Sequence, residues 1–437
     1  MLNRGVTVTR MLEVECGDMR EVLRTLPDNS FDSCVCDPPY ELGFMGKSWD
    51  STGIAFDAAA WAEVFRVLKP GAHIVAFGGT RTWHRIAVAI EDAGFQIRDS
   101  LAWIYGQGMP KSSNISKLFD KAAGAEREVI GTRILSGSAA MSTQEKGGTY
   151  ASNTDSRGRK KEVDITAPAT DLAKKYDGIG TALKPCIEPI ILARKPLIGT
   201  LVQNYTAHGV GGLNIDACRT PAEKPTGWGG GGSALEEGGL SRTGGEARPV
   251  DGRWPPNVCV DEAVAADLDA AFGTHKSTPY KGGPKQKRGQ IFDLDEVAPG
   301  GYADAGGVSR YFYCPKAAGA ERDAGLEHWP VLSAAQLTGR ADSEAPGTKN
   351  GRSGAKGEGR RNVHATVKPL TLMRWLCKLV TPPGGFILDP FTGSGTTGCA
   401  AALEGFHFAG IELDPIHVKL ARDRISHWFK SISVDGV

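Results

Sequence analysis

The chain has 437 residues, enough for about three domain-sized units or one large domain with insertions. Its 51 basic and 50 acidic side chains nearly cancel, which excludes a uniformly basic nucleic-acid coat, and 41% hydrophobic residues exclude an acidic disordered chain. No apolar run reaches the roughly 18 residues that span a bilayer, and the start lacks an apolar signal core, so we expect a cytoplasmic protein without membrane partners. Nine cysteines without a CxxC pair favour reduced thiols, and we expect no metal site.

Glycine, at 57 residues, is concentrated in the middle of the chain. The ends, residues 1–106 and 362–437, have the patterns of alternating strands and helices, whereas 107–182 and 198–361 are rich in Gly, Ser and Lys. An apolar stretch near 183–197 is expected to return as a strand to the sheet formed by the ends. We therefore predict an α/β domain interrupted by a large irregular insertion.

Hydrophobic spacing places the individual elements in chain order. Residues 61–68 show helical spacing, and Lys69-Pro70-Gly71 is expected to end that helix. The predicted strands are Thr7–Val14, Phe31–Cys36, Ala72–Phe77, Gln96–Tyr105, Cys186–Leu197, Phe386–Leu388 and Phe408–Leu413, and the predicted helices lie at 22–26, 61–68, 86–90, from 396 onward and at 418–428.

The first motif that carries chemistry is Asp37-Pro38-Pro39-Tyr40, directly after a predicted strand. In an open α/β sheet such loops bind the ligand. A strand-ending turn stiffened by two prolines explains the same residues without any function. The functional interpretation is that the turn holds the Asp37 carboxylate and a proline carbonyl as paired acceptors beside the Tyr40 ring. That arrangement suits a planar amino group.

The second motif, Asp389 to Gly398, follows another predicted strand and contains Gly393-x-Gly395-x-x-Gly398. Glu412 ends the next strand, at the distance expected for a ribose ligand. A nicotinamide dehydrogenase would share this glycine pattern. Hydride transfer has no use for a Pro-Pro-Tyr clamp on an amino group, however, so we favour another nucleoside-containing cofactor.

With both motifs in place, the sequence resembles S-adenosylmethionine-dependent DNA amino-methyltransferases of the permuted (beta) class, in which DPPY precedes the FxGxG loop. A branch common in phages and prophages, of adenine-specific methylases, is similar as well in three middle stretches: Leu183-Lys184-Pro185 with Glu188-Pro189-Ile190, Gly212 to Arg219, and Ser309 to Cys314. The resemblance rests on Cys16-Gly17-Asp18, Asp37 to Tyr40, Asn362-x-His364-x-Thr366-Val367-Lys368-Pro369 and Asp389 to Gly398. One departure is Ala365, where the family has proline.

The resemblance implies a Rossmann-like class I methyltransferase sheet, circularly permuted, with 1–106 and 362–437 as the catalytic and cofactor-binding domain. The insertion would recognise the DNA target. It also implies the site residues. The catalytic ones would be Asp37, Pro38, Pro39 and Tyr40, and S-adenosylmethionine would be bound by Asp18, Thr366, Lys368, Asp389, Phe391, Gly393, Ser394, Gly395, Thr396 and Glu412.

Plain structural alternatives exist for Lys368, Asp389 and the nearby His364. Thr366 and Lys368 would hold the methionine carboxylate of the cofactor, but a lysine before a helix is often only solvated. Asp389 is equally explained as an acceptor for loop amides. His364, in the same stretch as Thr366, is equally explained as a packed core residue. Glu412 would bind the ribose and Asp18 the adenine amino group.

Double-stranded DNA is the expected partner, and the sequence leaves a homodimer and a restriction endonuclease partner open. Phosphates would be bound by basic clusters in the irregular middle, although charge runs are usually solvated loops. The clusters are Arg157, Arg159, Lys160 and Lys161; Lys276, Lys281, Lys285, Lys287 and Arg288; and Lys349, Arg352, Lys356, Arg360 and Arg361. We expect Trp103 and Trp254 to be packing residues rather than wedges between DNA bases, and Cys34 and Cys36 to lie in the core.

The expected reaction is methyl transfer to the N6 amino group of adenine in duplex DNA after base flipping. The family's N4-cytosine members usually carry serine in place of Asp37, so cytosine-N4 is the second choice. A catalytically silent DNA- or cofactor-binding module is the alternative of a different class.

Overall fold

The computed structural model divides the chain into two compact units, one formed by Met1–Ile104, Glu188–Ala317 and Lys368–Val437 and the other by Tyr105–Ile187 and Ala318–Val367. The structure describes residues 11–43, 50–106, 108, 112–134, 162–221, 235–236, 239–240, 252–276, 283–284, 296–297, 305–315, 319–332, 360–364 and 366–434.

Strands and helices alternate through most of the described residues. The strands are β1 Leu12–Cys16, β2 Phe31–Cys36, β3 Leu68–Phe77, β4 Gln96–Ile104, β5 Val129–Ile134, β6 Glu162–Thr166, β7 Ile187–Arg194, β8 Leu235–Glu236, β9 Gly239–Leu240, β10 Val258–Val260, β11 His275–Lys276, β12 Gly283–Pro284, β13 Glu296–Val297, β14 Ala305–Gly306, β15 Phe386–Asp389 and β16 His407–Glu412. The helices are α1 Met19–Thr25, α2 Ala58–Val67, α3 Trp83–Asp92, α4 Ile115–Ala122, α5 Asp171–Lys175, α6 Leu201–His208, α7 Glu262–Phe272, α8 Leu370–Val380, α9 Thr396–Glu404 and α10 Pro415–Val434.

The first unit is built on one sheet of eight strands in the order β1-β16-β15-β2-β3-β7-β4-β10. Strands β1, β16, β15, β2 and β3 are parallel neighbours, and β10 runs parallel to β4. Strand β7 runs antiparallel to β3. Two strands from the C-terminal end of the sequence therefore lie between β1 and β2, so the two distant ends form a single sheet.

Both faces of this sheet are covered, because neighbouring residues of its central strands belong to different cores. Val35 and Val75 join the core formed with α8, α9 and α10, whereas Cys34, Cys36 and Ile74 join the core formed with α1, α2 and α3. Side chains alternate between the faces of a strand, and helices on both faces explain why β2 is buried at every position. The architecture is the doubly wound α/β sheet expected from the sequence.

Most predicted elements are present, and the differences have local causes. Strand β3 begins at Leu68, before the predicted start at Ala72, because Leu68 already pairs with Phe31 of β2; the register then shifts before His73, over a stretch in which Gly71 has a φ of 82°. The predicted return of the stretch near 183–197 to the sheet is confirmed by β7. The stretch 198–361, predicted as insertion, also contributes β10 to this sheet.

Two minor predictions have opposite outcomes. Cys34 and Cys36 lie in the core as expected, and all nine cysteines are free thiols. Trp103 packs against the core, but the prediction for Trp254 was wrong: it is 62% exposed, with the Arg219 guanidinium over its ring. Among the helices of the described residues, none has the length and apolarity to cross a membrane.

The second unit contains α4, α5 and the antiparallel pair β5 and β6. Its buried centre is Asp120, which accepts hydrogen bonds from Thr170 and Ala169 and forms an ion pair with Arg127 at 2.5 Å. These bonds connect α4 to the residues that begin α5. The arginine at 127 is thus a structural partner of a buried carboxylate.

Candidate active site at the carboxyl ends of the parallel strands

Four parallel strands end beside one another, and a carboxylate residue lies at each end. Asp18 follows β1, Glu412 ends β16, Asp389 ends β15 and Asp37 follows β2. Ligands of open α/β sheets bind at this edge. The two motifs therefore lie at the ends of neighbouring strands, at the same edge of the sheet.

The Asp37–Tyr40 turn is fixed by residues on both sides of it. Thr82 donates its hydroxyl proton to the carbonyl of Tyr40 at 2.7 Å. Just beyond the turn, the buried Asp50 carboxylate accepts the N–H groups of Glu41 and Leu42 at 3.0 and 3.2 Å. Glu41 has a positive φ of 55°, in the left-handed region that few residues other than glycine adopt.

The side chains of the turn converge on one buried ammonium group. Lys368 Nζ lies 2.6 Å from Asp37 Oδ2 and 3.3 Å from Glu188 Oε2, and it donates to the Tyr40 hydroxyl at 3.2 Å. The Tyr40 hydroxyl in turn donates to Glu188 Oε2 at 2.9 Å. Lys368 also lies over the Phe77 ring, 4.8 Å from its centroid.

The protonation of this cluster follows from its burial and its charges. Burial disfavours the charge on Lys368, but the carboxylates of Asp37 and Glu188 outweigh it and raise the pKa of the lysine. Burial, followed by the same two carboxylates, raises the pKa of Tyr40 well above its ordinary value. Lys368 is therefore a cation and Tyr40 a neutral phenol at neutral pH.

These contacts occupy only one of the two carboxylate oxygens of Asp37. Its Oδ2 atom accepts from Lys368, whereas Oδ1 is buried and has no hydrogen-bond partner among the described residues. A buried acceptor without a donor is costly, and such exceptions often mark the place of a ligand. Pro38, whose carbonyl is the second expected acceptor, is buried beside it, and Pro39 is half-buried.

The glycine loop is shaped by close backbone packing. Gly393 and Gly395 have positive φ values of 53° and 76°. A Cβ atom on Gly395 would lie 2.8 Å from the Ala421 Cβ and 2.9 Å from its Cα, because α10 packs directly against the loop. Phe391, at the start of the loop, packs its ring against Trp61 at 5.8 Å. Only glycine satisfies both the conformation and the space at position 395.

Two hydroxyl residues of this loop face a buried arginine. Arg424 of α10 is 1% exposed and donates to the Ser394 carbonyl at 2.5 Å, to its hydroxyl at 3.0 Å and to the Thr396 hydroxyl at 3.2 Å. The structure thus gives Ser394 and Thr396 a scaffold contact. Their predicted contact with a cofactor stays a prediction.

Glu412 supports the same loop from the neighbouring strand. Its Oε2 atom accepts the N–H of Gly393 at 2.8 Å, and Oε1 accepts the N–H of Asp414 at 2.9 Å. Burial alone would raise the pKa of this carboxyl, but His417 and the two backbone donors lower it below its ordinary value. Glu412 is therefore an ionised acceptor at the edge of the sheet.

Asp389 is the most buried of the four carboxylates. It is 2% exposed and accepts the Phe391 N–H at 3.1 Å and a hydrogen bond from Thr397. Burial raises its pKa to about 7, although these donors oppose the shift. No cation pairs with it among the described residues, so its contacts match the role of an acceptor for loop amides.

The remaining predicted cofactor ligands lie in different surroundings. Asp18 caps α1, and its hydrogen bond with Arg20, at 2.6 Å, lowers the pKa of the carboxyl. Thr366 belongs to the second unit, where its carbonyl lies 2.6 Å from His364 Nδ1. His364 is half-buried there, and its own carbonyl accepts from Arg322.

Three residues of the site were not predicted from the sequence. They are Glu188 of β7, which accepts from the Tyr40 hydroxyl, Asp50, which accepts the backbone N–H that follows Tyr40, and Arg424, which donates to the glycine loop. For Glu188 a signal existed: it lies at the start of a strand that was predicted to return to the sheet. For Asp50 and Arg424 the sequence offered no distinguishing pattern.

The basic clusters expected to contact DNA lie largely outside the described residues. Lys276 is exposed in β11. The backbone of Arg360 pairs with Leu332, and Arg361 donates to the Trp329 carbonyl. Within the described residues, no group of three or more His, Cys, Asp or Glu is arranged to hold a metal ion.

The hydrogen-bond acceptors at this edge of the sheet fit the cofactor that the resemblance implies. S-adenosylmethionine carries a cationic sulfonium, a ribose diol and an adenine amino group, which all favour acceptors and negative charge. Asp18 and Glu412 lie on neighbouring strand ends, and Asp37 has a buried acceptor without a partner. Lys368, by contrast, is occupied by the Asp37 turn.

In sequence, the chain matches one family model and short segments of curated proteins. A model of the N6/N4 DNA methylase family matches residues 31–125 and 277–423, more than half of the chain. The type II methyltransferase M.XycI of Xanthomonas campestris pv. cyanopsidis is 44% identical over 63 residues, 14% of this chain and 21% of that protein. M2.DpnII of Streptococcus pneumoniae is 44% identical over 62 residues, 14% and 23% of the two chains. The match spans about a fifth of the length of these curated relatives.

Solved structures to which the chain shows some similarity include two methyltransferases. The cytosine-N4-specific PvuII DNA methyltransferase has a TM-score of 0.40 at 12% identity, covering 99% of this chain and 95% of that chain. The putative DNA modification methylase TTHA0409 from Thermus thermophilus, complexed with S-adenosylmethionine, has a TM-score of 0.35 at 15% identity and covers 95% and 94%.

Proposed function

Because this chain belongs to the N6/N4 DNA methylase family, we propose that it transfers a methyl group from S-adenosylmethionine to the N6 amino group of adenine in duplex DNA. The observation that carries the proposal is the position of the Asp37–Tyr40 turn. It follows β2, whose parallel neighbour β15 leads into the glycine loop. An acceptor for an amino group and a loop for a nucleoside cofactor therefore share one edge of the sheet.

The residues of the turn account for the chemistry. S-adenosylmethionine supplies an activated methyl group on a positively charged sulfur. The nitrogen of a base amino group is a poor nucleophile, because its lone pair is delocalised into the ring. Asp37 Oδ1 and the Pro38 carbonyl accept its two N–H bonds and localise the lone pair, while Tyr40 stacks on the base. Catalysis then rests on positioning and electrostatics, without a covalent intermediate.

On the cofactor side, Asp18, Glu412 and the loop from Phe391 to Gly395 form the proposed pocket. Glu412 binds the ribose and Asp18 the adenine amino group. Asp389 contributes by holding the loop backbone that Phe391 begins. The glycines at 393 and 395 keep side chains away from the ligand.

Adenine is preferred over cytosine because of the residue at the first position of the motif. Members of the family that act on cytosine N4 usually have serine there, and this chain has Asp37. Cytosine-N4 transfer is the second candidate, in keeping with the specificity named for the PvuII enzyme. The position of β15 and β16 between β1 and β2 supports assignment to the permuted class, and we extend this to the phage and prophage branch.

The DNA must present its target outside the double helix. A base that is paired inside the duplex cannot reach the Asp37–Tyr40 turn, so the base is flipped out of the duplex. The insertion residues hold the phosphates and read the site. This catalytic proposal does not depend on an endonuclease partner or on a homodimer.

The experiment is nucleoside mass spectrometry of DNA methylated by the purified protein. We expect N6-methyladenine with the wild type, and a loss of at least about 100-fold with Asp37→Ala, because the amino group loses its acceptor. Asp92→Ala, at an exposed position that ends α3, is the matched control and retains activity. Formation of N4-methylcytosine alone would favour the second candidate. Full activity of Asp37→Ala would remove the turn from the mechanism.

A further inference from the structure

Glu188 has no role in the function proposed so far, although it touches two residues of the catalytic turn. We propose that Glu188 and Lys368 are positioning residues that fix the Asp37 carboxylate for the base amino group, and that Lys368 is not a ligand of the cofactor carboxylate. This inference rests on the proposed methyltransferase function.

The first argument is the number of donors on the lysine. An ammonium group has three N–H donors and no acceptor. Three acceptors surround Lys368 Nζ: Asp37 Oδ2 at 2.6 Å, the Tyr40 oxygen at 3.2 Å and Glu188 Oε2 at 3.3 Å. Each donor therefore has an acceptor in the turn or on β7. A cofactor carboxylate could bind Lys368 only by displacing one of them.

The second argument is the shared oxygen of Glu188. The Tyr40 hydroxyl donates to Oε2 at 2.9 Å, and Lys368 Nζ lies 3.3 Å from the same atom. One carboxylate thus fixes both the ring that stacks on the base and the cation that contacts Asp37. The side chain of Glu188 is 19% exposed and that of Lys368 only 9%, so water competes little for these contacts.

The third argument is the difference between the two oxygens of Asp37. Lys368 occupies Oδ2, and Oδ1 remains buried without a partner among the described residues. With Oδ2 held, the carboxylate cannot rotate freely, so Oδ1 stays directed to one place. Without Glu188, Lys368 would have a single carboxylate partner and could move away from the turn. Glu188 therefore acts on the substrate through Lys368 and Tyr40.

The experiment compares Glu188→Gln and Lys368→Met with the wild type in two measurements. One is the rate of methyl transfer to unmethylated DNA at saturating S-adenosylmethionine. The other is the dissociation constant of S-adenosylmethionine, measured by calorimetry without DNA. We expect kcat to fall about 10- to 100-fold in both variants, because the acceptor is displaced. The dissociation constant should change by less than about threefold, because neither side chain touches the cofactor.

Glu404→Gln is the matched control. Glu404 also pairs with two cations, Arg374 and Lys378, and its side chain is 13% exposed, but it lies on α9 away from the turn. It should keep the wild-type kcat. The double variant of Glu188→Gln with Lys368→Met should lose little more than either single variant, because the two residues act as one unit. A merely structural role would not produce this pattern with unchanged cofactor binding.

Tyr40→Phe covers the case in which Glu188→Gln fails to fold. It removes the donor to Glu188 but keeps the ring, and we expect kcat to fall by about 3- to 10-fold with unchanged cofactor affinity. A Lys368→Met variant with at least about tenfold weaker cofactor binding and unchanged kcat would overturn the inference. So would wild-type kcat in Glu188→Gln. If the wild type itself transfers no methyl group, the proposed function fails, and this inference fails with it.

Discussion

Two Asp-Pro turns lie at the ends of neighbouring strands and differ in almost everything except their sequence. Asp37-Pro38 follows β2 and Asp389-Pro390 ends β15, and the two strands are paired in parallel. Asp37 has an ammonium group at 2.6 Å. Asp389 has only a backbone N–H and a hydroxyl as donors among the described residues, and burial raises its pKa to about 7. The same dipeptide at the same edge therefore becomes either an ion-paired acceptor or a titrating buried acid.

The difference shows what a strand end contributes and what it leaves to the rest of the fold. The strand fixes the position of the carboxylate, but its charge depends on residues that arrive from elsewhere. Lys368 begins the segment before α8, and Glu188 lies on β7. The loop after Asp389 is instead held by glycines against α10. Three substitutions test this contrast.

The largest effect is expected from Gly395→Ala, which tests the close packing of the glycine loop. The added Cβ would strain a positive φ and collide with Ala421, so the free energy of unfolding should fall by about 3 kcal/mol. Gly384→Ala is the matched control: its φ is 70°, but among the described residues no atom beyond its two chain neighbours lies within 4 Å of the added Cβ. It should cost only about 1 kcal/mol. Urea denaturation measures both, and equal losses would contradict tight packing of the loop on α10.

The next effect concerns the pH dependence of stability and separates Asp389 from ordinary carboxylates. Its pKa in the folded protein, about 7, lies above that of the unfolded chain, so the folded state binds the proton more tightly. Stability is therefore lost as the pH rises through the window between the two values. Asp389→Asn removes this titration. From about pH 5.5 to about pH 8, the wild type should lose roughly 2 kcal/mol more than the variant.

Asp92→Asn, on the exposed end of α3, is the control for that measurement. It should follow the wild-type pH profile of the urea midpoint. If Asp389→Asn also follows that profile, Asp389 does not titrate in the neutral range, and the contrast between the two turns would disappear.

The smallest effect is expected from Glu412→Gln, which tests how the glycine loop is held from its neighbouring strand. Glutamine keeps one acceptor but directs an amide donor at one of the backbone N–H groups of Gly393 and Asp414. The affinity for S-adenosylmethionine should fall about tenfold, or about 1.4 kcal/mol. Calorimetry measures it, with Glu13→Gln on β1 as an exposed control. Unchanged affinity would show that Glu412 is not needed for the cofactor.

The sequence predicted what depends on local pattern. Strand β2 has the predicted bounds, because a short apolar run before Asp-Pro-Pro has few alternatives, and β7 returned to the sheet as its apolar stretch indicated. What could not be predicted depends on contacts between remote residues. The contact between Lys368 and Glu188 at the turn forms only when three segments of the chain have packed together. The exposure of Trp254 depends on which residues pack around it.

The placement of β15 and β16 between β1 and β2 has a consequence for biosynthesis. A ribosome releases β1 and β2 long before the strands that separate them, so neither can complete its hydrogen-bond ladder while the intervening chain is being translated. Unpaired strand edges are vulnerable to aggregation. The sheet can therefore be completed only after β15 and β16 have emerged from the exit tunnel.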